Sequence, residues 1–284
     1  MLIVLAVVAI VSALLFPVYA TAKASAIRVS CFARFRQVGQ SVTMYASDYD
    51  DYTVPINHEP GQPPNATTDR TWVQLLLPYI GSFKTFRCPA DYSVRPKVDA
   101  SFDQDLLPGD LYARYYESSM RTNLGYNFQY LAPIIRVDGE WMAQPHPLGE
   151  IQDPSKMMLF IDSVWSVIDG VPVGGGSWLV SPPCRYEEVG GQEHDTIDPS
   201  PGSAGEGGRL GHEIFAPMVG WDISQQSAGA YGSAWPWHNG VATMCSVGGS
   251  VRPVTMQELA GGCDVRPQWE GQIYDRAKYV WQPR

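Results

Sequence analysis

Apolar residues dominate the start of the chain and then give way to a regular mixture of apolar and polar positions. From Leu2 to Tyr19 no residue is charged, and Pro17 is the one helix-breaking residue in this run. Beyond Lys23, the first charged residue, apolar residues recur at steps built from three and four, which places them on one face of an α-helix. These positions are Ile27, Cys31, Val38, Val42, Tyr45 and Tyr49. The pattern predicts one long helix, apolar in its first half and amphipathic in its second, that ends near Asp48.

The uncharged run has three interpretations. A helix inside a soluble core is disfavoured, because an apolar segment this long at a terminus rarely finds enough core to cover all its sides. A secretory signal peptide is the rival, since Ala20-Thr21-Ala22 and Ala22-Lys23-Ala24 resemble small-residue cleavage sites, although no Lys or Arg precedes the run. A retained membrane helix, kinked at Pro17, is favoured because the helical pattern continues past those sites. The run is also about long enough to cross a hydrocarbon core of about 30 Å. In either of the last two interpretations, the rest of the chain is exported.

The remainder of the chain predicts an α+β head with long loops. Residues 51–69 form a Pro- and Asn-rich loop, Trp72 to Ile80 a short helix, and Phe83 to Phe86 an edge strand. Further strands are predicted at 134–142 and 157–161, and a hairpin at 164–180 across Gly174-Gly175-Gly176. A second hairpin joins 241–247 to 250–254 across Gly248-Gly249. Residues 184–234 form a long surface excursion, and 268–282 cover a sheet edge.

Composition narrows the class of protein. The chain has 284 residues with 27 Gly, 23 Pro, 9 Trp and 15 Tyr, and only 17% of its residues are charged, which describes a loop-rich head packed around aromatic rings. The net charge of −9 argues against a nucleic-acid partner. Neither a P-loop nor a nucleophile elbow is present. We expect a protein that is not an enzyme, although catalytic residues can also be scattered along a sequence.

Five cysteines carry a prediction about cross-links. None has Cys-X-X-Cys spacing, so a zinc site is not expected, whereas an exported chain favours disulfides. Cys31, on the amphipathic half of the helix, is predicted to bond Cys88 and so fasten the helix to the head. The alternative is that Cys31 is buried and reduced. Cys184 and Cys263 are predicted to pair with each other, which leaves Cys245 as a buried strand thiol.

Two further clusters suggest ligands. Asp48, Asp50 and Asp51 offer carboxylates at the predicted helix end, where oxygen ligands suit calcium, but the spacing is not that of an EF-hand. These acids are better interpreted as loop caps or solvated side chains.

Trp221, Trp235 and Trp237 are either a sugar-binding platform or rings packed under long loops, and packing is favoured.

Several short segments, in this order, carry a resemblance to a known family. They include Leu14-Leu15-Phe16-Pro17-Val18-Tyr19-Ala20, Phe86-Arg87-Cys88-Pro89-Ala90-Asp91, Leu124-Gly125-Tyr126-Asn127 and Trp237-His238-Asn239-Gly240-Val241-Ala242. The chain resembles type IV pilin-like proteins and type II secretion pseudopilins. More specifically, it is similar to the large bacterial pseudopilin-like family with a prepilin-type methylation segment and a C-terminal His-X9-Asp-Gly motif. The resemblance spans most of the chain.

Two departures from that family stand out. The peptidase site and the core glutamate of the family would lie just before Met1, and Gly248-Gly249 stands where the family has Asp-Gly. The double glycine still permits a tight hairpin turn. His238 is expected to be structural, with its ring bonded to a loop carbonyl while Asn239 and Gly240 turn the chain.

The resemblance implies a structural subunit of an extracellular or periplasmic pilus-like or pseudopilus filament. Residues 1–26 would be the membrane and filament-core half of the helix, and 27–284 the head with the amphipathic half. The helix would lie in the inner membrane and then pack against copies of itself or related subunits in a filament at the cell surface. The expected assembly positions are Leu2, Leu5, Val8, Val11, Leu15 and Pro17. The alternative is an exported, tethered or secreted domain that binds or hydrolyses carbohydrate. No cofactor is expected, calcium apart, which some pseudopilins bind in a loop.

Overall fold

The structure combines one long helix with several small β-sheets. It is a computed structural model that describes residues 2–56, 70–93, 119–137, 140–197, 221, 231–266 and 270–282; the side chains of Leu2, 134–137 and 140–142 lie outside that description. The helices are α1 (Leu2–Asp48), α2 (Trp72–Ile80), α3 (Phe128–Leu131) and α4 (Met256–Leu259), with short 3₁₀ helices at Phe83–Phe86 and Leu148–Glu150. The first six strands are β1 (Leu124–Tyr126), β2 (Ile134–Val137), β3 (Glu140–Ala143), β4 (Met158–Asp162), β5 (Ser166–Ile168) and β6 (Val171–Val173). The remaining strands are β7 (Tyr186–Val189), β8 (Gln192–Asp195), β9 (Ala242–Ser246), β10 (Val251–Val254), β11 (Cys263–Asp264) and β12 (Gln272–Ile273). The α+β class is therefore confirmed.

Helix α1 has two halves with opposite surroundings. It is continuous through Pro17 and ends at Asp48, as predicted. Every side chain from Ile3 to Ala26 is exposed, although almost all are apolar. Burial begins beyond Ile27, on a stripe that packs against the head. The buried residues of this stripe are Cys31, Phe35, Val38, Ser41, Val42, Tyr45 and Ala46.

The amphipathic half of α1 packs on a four-stranded antiparallel sheet with the strand order β1-β4-β9-β10. Strand β4 is fully buried, and β9 pairs with it so that Ile161 lies opposite Met244. The helix approaches β9 so closely that a Cβ on Gly39 would lie 2.7 Å from Cys245 Sγ. A glycine at this position therefore sets the distance between helix and sheet.

Aromatic rings fill the space between this sheet and α2. Trp72, the first residue of α2, stacks on Phe160 of β4 with ring centroids 4.8 Å apart. Its indole N–H donates to the Trp178 carbonyl at 2.9 Å. Helix α2 starts with a capping box between Thr71 and Gln74, which satisfies two of the free N–H groups at its first turn. The predicted helix over 72–80 is confirmed.

A second sheet and two hairpins lie outside this core. The second sheet has the order β11-β12-β7-β8, and the hairpins are β2–β3 and β5–β6. A disulfide joins Cys184 to Cys263 at the edge of the second sheet, across 79 residues of sequence. The structure thus contains the second of the two predicted cross-links.

The hairpins show where turn chemistry was misjudged. The β9–β10 hairpin turns through Gly248 and Gly249 as predicted, with Gly249 at φ 79°. By contrast, the chain between Val164 and Val180 turns at Asp169-Gly170, where both residues have positive φ, and the predicted turn at Gly174–Gly176 is wrong. A Cβ on Gly176 would lie 1.9 Å from the Thr122 carbonyl oxygen, so this glycine serves close packing instead.

Two other strand predictions were wrong. Phe83–Phe86 is a 3₁₀ helix, because the hydroxyl of Ser82 accepts a hydrogen bond from the Lys84 N–H and starts a turn. Segment 134–142 contains two paired strands rather than one. The predicted excursion over 184–234 begins with the β7–β8 hairpin, and most of the rest lies outside the described residues.

Candidate functional site

Four side chains with metal-ligand chemistry converge where α1 meets the head. They are Cys31, Cys88, Asp162 and His238, and their ligand atoms all lie within 4.8 Å of one another. All four residues are buried. Within the part of the chain that the structure describes, this is the one group in which three or more His, Cys, Asp or Glu ligand atoms meet. We call it the Cys₂-Asp-His cluster.

Helix and loop supply the two thiols. Cys31 is the first fully buried residue of the α1 stripe. Cys88 follows the 3₁₀ helix at Phe83–Phe86, and its N–H donates to Asn123 Oδ1 at 2.9 Å. Arg34 of α1 donates to the carbonyls of Lys84 and Arg87 at 2.8 and 2.6 Å, which holds the Cys88 segment against the helix.

The sheet supplies the carboxylate. Asp162 ends β4, and its Oδ2 accepts a hydrogen bond of 2.6 Å from the Thr243 N–H of β9. The hydroxyl of Thr243 also lies 3.7 Å from Cys31 Sγ. A carboxylate at the end of a fully buried strand is thereby fixed in direction by its neighbouring strand.

The imidazole comes from a tight turn before β9. His238 and Val241 exchange backbone hydrogen bonds of 3.0 and 3.3 Å, and between them Asn239 and Gly240 have φ values of 54° and 85°. Positive φ at both central residues is typical of a type I′ hairpin turn, which favours Asn-Gly. The predicted turning role of Asn239 and Gly240 is confirmed. The ring of His238, however, faces the cluster and not the loop carbonyl that was expected.

The distances within the cluster are short on every side. Cys31 Sγ lies 2.9 Å from Cys88 Sγ and 3.6 Å from Asp162 Oδ1. His238 Nε2 lies 3.4 Å from Cys88 Sγ and 3.6 Å from Asp162 Oδ2. Each group therefore contacts two others in a closed ring.

Burial favours the neutral form of every group in the cluster. It raises the pKa of both thiols and lowers the pKa of His238, which the charge of Arg28 lowers further. Burial also raises the pKa of Asp162 to about 7, partly opposed by the hydrogen bonds from Thr243. Anions at this position need a cation close to them, because uncompensated buried charge is costly.

The predicted Cys31–Cys88 disulfide is absent, since both are free thiols. The prediction was right about which two residues meet and wrong about the bond. The two sulfur atoms lie 2.9 Å apart, and an imidazole and a carboxylate share their environment. The arrangement can bind a metal ion, or it can oxidise to a disulfide. Cys245 is a buried thiol on β9, as predicted.

Two of the three calcium candidates accept hydrogen bonds from different parts of the head. Asp48 Oδ2 accepts a hydrogen bond from the Tyr79 hydroxyl at 2.7 Å, and Asp51 Oδ2 accepts one from the Gly149 N–H at 2.9 Å. Asp50 and Asp51 turn the chain with φ values of 50° and 64°. All three are exposed, and the two bonded acids serve as structural acceptors at the end of α1.

The tryptophans do not form an open sugar platform. Trp221 and Trp237 are buried, and their indole N–H groups donate to the carbonyls of Ser181 and Ser163 at 2.7 and 2.8 Å. Trp235 is half-buried and contacts the ring of Tyr231. The interpretation that these rings pack under loops is confirmed for Trp221 and Trp237.

The expected assembly positions lie on the exposed half of α1. Leu5, Val8, Val11 and Leu15 are all more than half exposed, and Pro17 lies within the continuous helix; the side chain of Leu2 is outside the description. The helix is long and apolar enough to cross a membrane, and its most apolar window is not buried at all. A helix of this kind, near an N-terminus, either anchors a protein in a membrane or serves as a signal sequence.

Sequence reasoning missed the metal-ligand potential of Asp162. Its signal was an acid placed directly after a wholly apolar strand, where a buried carboxylate is rare without a partner.

Comparisons of the chain with family models, with curated proteins and with solved structures find no match.

Proposed function

We propose that this protein is a structural subunit of a pilin-like filament that assembles through α1. The apolar half of the helix lies in the inner membrane before assembly and in the filament core afterwards. The head stays outside at the cell surface. The observation that supports this proposal is one unbroken helix whose first half is apolar and fully exposed, while its second half packs on the head.

The exposed half needs a partner that is not water. Contiguous apolar surface of this size is unfavourable in water and marks a lipid or protein contact. Lipid satisfies it before assembly, and helices of other subunits satisfy it in a polymer. The same helical face repeated on each copy makes a head-to-tail contact, which propagates into an open helical filament.

The contacts between α1 and the head suit such a polymer. Strands β4, β9 and β10, helix α2 and the 3₁₀ helix at Phe83–Phe86 all contact α1, and the buried stripe of α1 lies in its second half. A pull on α1 inside a filament core would therefore be transmitted to the head. The head would face outward and would set the properties of the filament exterior.

A pair of matched charge substitutions tests the proposal. Val8 on α1 is 56% exposed and Val171 on the β5–β6 hairpin is 54% exposed, so an aspartate at either position is tolerated by the isolated chain. In a lipid or filament core, a buried Asp costs about 2.5–3.5 kcal/mol. We expect Val8→Asp to abolish the filaments that shearing releases from the producing cells, and Val171→Asp to leave them intact. Sedimentation and electron microscopy of the sheared material measure both results.

Two results would contradict the filament function. The first is that wild-type protein stays in the membrane as single copies and yields no sedimentable polymer after shearing. In that case α1 would serve only as a membrane anchor. Filaments that tolerate Val8→Asp as well as Val171→Asp would show that the apolar half is not in the core. Carbonate extraction of both variants separates loss of membrane insertion from loss of assembly.

A further inference from the structure

We propose that Cys31, Cys88, Asp162 and His238 bind one Zn²⁺ ion, which fastens α1 to the head. The proposal does not depend on filament assembly, since it concerns a site inside a single chain. It assigns the Cys₂-Asp-His cluster a ligand and a mechanical role.

The donor set matches the chemistry of zinc. Zn²⁺ is a borderline-soft ion that takes thiolate, imidazole and carboxylate ligands in tetrahedral sites, and four protein ligands with no open position mark a structural site. Hard cations such as calcium and magnesium prefer all-oxygen sites. Two thiols in a set of four therefore favour zinc over these ions.

Three of the four distances given above between ligand atoms match the spacing in a tetrahedral zinc site. Zinc–ligand bonds of about 2.0–2.3 Å place neighbouring ligand atoms about 3.3–3.8 Å apart. Three distances fall in this range: Cys31 Sγ to Asp162 Oδ1 at 3.6 Å, Cys88 Sγ to His238 Nε2 at 3.4 Å, and His238 Nε2 to Asp162 Oδ2 at 3.6 Å. The two distances from Asp162 start from different oxygens of its carboxylate, so a small rotation of the carboxylate would direct one oxygen at the ion. The two sulfur atoms, at 2.9 Å, must separate by roughly 0.9 Å to reach the thiolate spacing.

A thiol pair alone does not account for the other two residues. A disulfide needs no imidazole and no carboxylate beside it, and both are polar groups that are costly to bury without partners. Here Asp162 is fully buried and is oriented by the Thr243 N–H. Outer hydrogen bonds that aim a ligand in this way are usual around bound metals.

Binding balances the charges in the site. Both thiols lose their protons to solvent as the Zn–S bonds form, and Asp162 binds as a carboxylate while His238 stays neutral. Two thiolates, one carboxylate and Zn²⁺ leave a net charge of −1. Arg28, three residues before Cys31, acts electrostatically on His238 and offsets this charge.

The bound ion would join parts of the chain that are far apart in sequence. Its ligands come from α1, from the loop after the first 3₁₀ helix, from the end of β4 and from the turn before β9. The ion replaces a weak contact between two thiols by bonds to all four segments. It would also keep Cys31 and Cys88 from oxidising in an exported protein.

The test measures metal on the full chain, purified in detergent without chelator under reducing conditions. We expect one equivalent of zinc per chain by elemental mass spectrometry. Replacement by Co²⁺ should give the intense visible bands of a tetrahedral site together with thiolate-to-cobalt charge transfer. Cys31→Ser and His238→Gln should each reduce the metal content at least tenfold. Cys245→Ala is the matched control, because Cys245 is also a buried thiol next to α1 but lies outside the cluster, and it should keep its zinc.

Three outcomes would overturn the proposal. The first is wild-type protein that binds neither zinc nor cobalt after reduction, and the second is a Cys31–Cys88 disulfide in peptides from native material. The third is zinc that the Cys31→Ser and Cys245→Ala variants retain equally, which would mean an adventitious ion. If Cys31→Ser fails to fold, the wild-type cobalt spectrum still decides the case, since charge-transfer bands appear only with thiolate ligands.

Discussion

The two halves of α1 are one continuous helix with opposite relations to the rest of the molecule. From Ile3 to Ala26 the side chains are almost all apolar and all exposed, whereas from Cys31 to Ala46 an apolar stripe is buried against the head. Secondary structure is the same in both halves, so the difference lies in the distribution of apolar residues. Apolar residues on all sides need an apolar surrounding, and apolar residues on one stripe need only one packed neighbour.

This comparison separates two kinds of stability. The second half of α1 contributes to the folding free energy of the head, because its side chains leave water when the chain folds. The first half is exposed and would contribute little to the stability of the isolated head, and its apolar surface would act in association with lipid or other helices. Substitutions in the two halves should therefore affect different measurements.

The largest contrast is expected between two phenylalanines. Phe35 is 0% exposed and Phe16 is 76% exposed on the same helix. Phe35→Ala leaves a cavity between α1 and the head and should cost about 3–5 kcal/mol of unfolding free energy. Phe16→Ala should change it by less than about 0.5 kcal/mol.

Chemical denaturation of the detergent-solubilised chain, followed by tryptophan fluorescence, measures both values. Trp72, Trp178 and Trp281 are fully buried in the head, so they report its unfolding and not that of the free helix. Equal losses for the two variants would mean that the exposed half also packs on the head, and the division of α1 would be wrong.

The division of α1 could be predicted from sequence because it depends on local spacing. Runs and stripes of apolar residues along one helix are visible without any tertiary information, and Cys31, Val38, Val42 and Tyr45 are buried as predicted. Tyr49 and Ile27 are the exceptions. Tyr49 lies just past the helix end, exposed and stacked on Tyr45, and Ile27 is only half-buried. The hairpin at Gly248-Gly249 was predictable for the same local reason.

The Cys₂-Asp-His cluster could not be predicted in this way. Its members stand at positions 31, 88, 162 and 238, so no short motif contains two of them. Two were singled out for cross-linking and one as a structural histidine, but only the tertiary packing brings the fourth, Asp162, beside them. Zinc-site signatures read from sequence require paired ligands a few residues apart, and this chain has none.

A smaller effect is expected where α1 touches β9. Gly39→Ala would place a Cβ 2.7 Å from Cys245 Sγ, which forces the helix away from the sheet at a cost of about 1–3 kcal/mol. The higher helix propensity of Ala offsets up to about 1 kcal/mol of this loss.

A double-mutant cycle isolates the contact. Cys245→Ala removes the sulfur atom, so the Gly39→Ala/Cys245→Ala protein should be more stable than the sum of the single changes predicts. Strict additivity in the denaturation midpoints would show that the helix–sheet distance is not set by these two residues.

The smallest effect is expected at the last residue of α1. The Tyr79 hydroxyl of α2 donates to Asp48 Oδ2 at 2.7 Å in a partly exposed position, so Tyr79→Phe should cost only about 0.5–1 kcal/mol at neutral pH. Burial, reinforced by this hydrogen bond to Asp48, raises the pKa of Tyr79 to about 12 from its ordinary value of 10.0. The folded protein therefore holds this proton more tightly than the unfolded chain. The stabilisation is complete below pH 10 and is lost as the pH rises towards 12.

The difference in unfolding free energy between wild type and Tyr79→Phe should be constant from pH 6 to about 9.5 and shrink above it. Tyr274→Phe, at an exposed ring just after β12, serves as the control. A difference that instead grew with pH would mean that the phenolate is the favoured form and that Asp48 does not hold the end of α1 to α2.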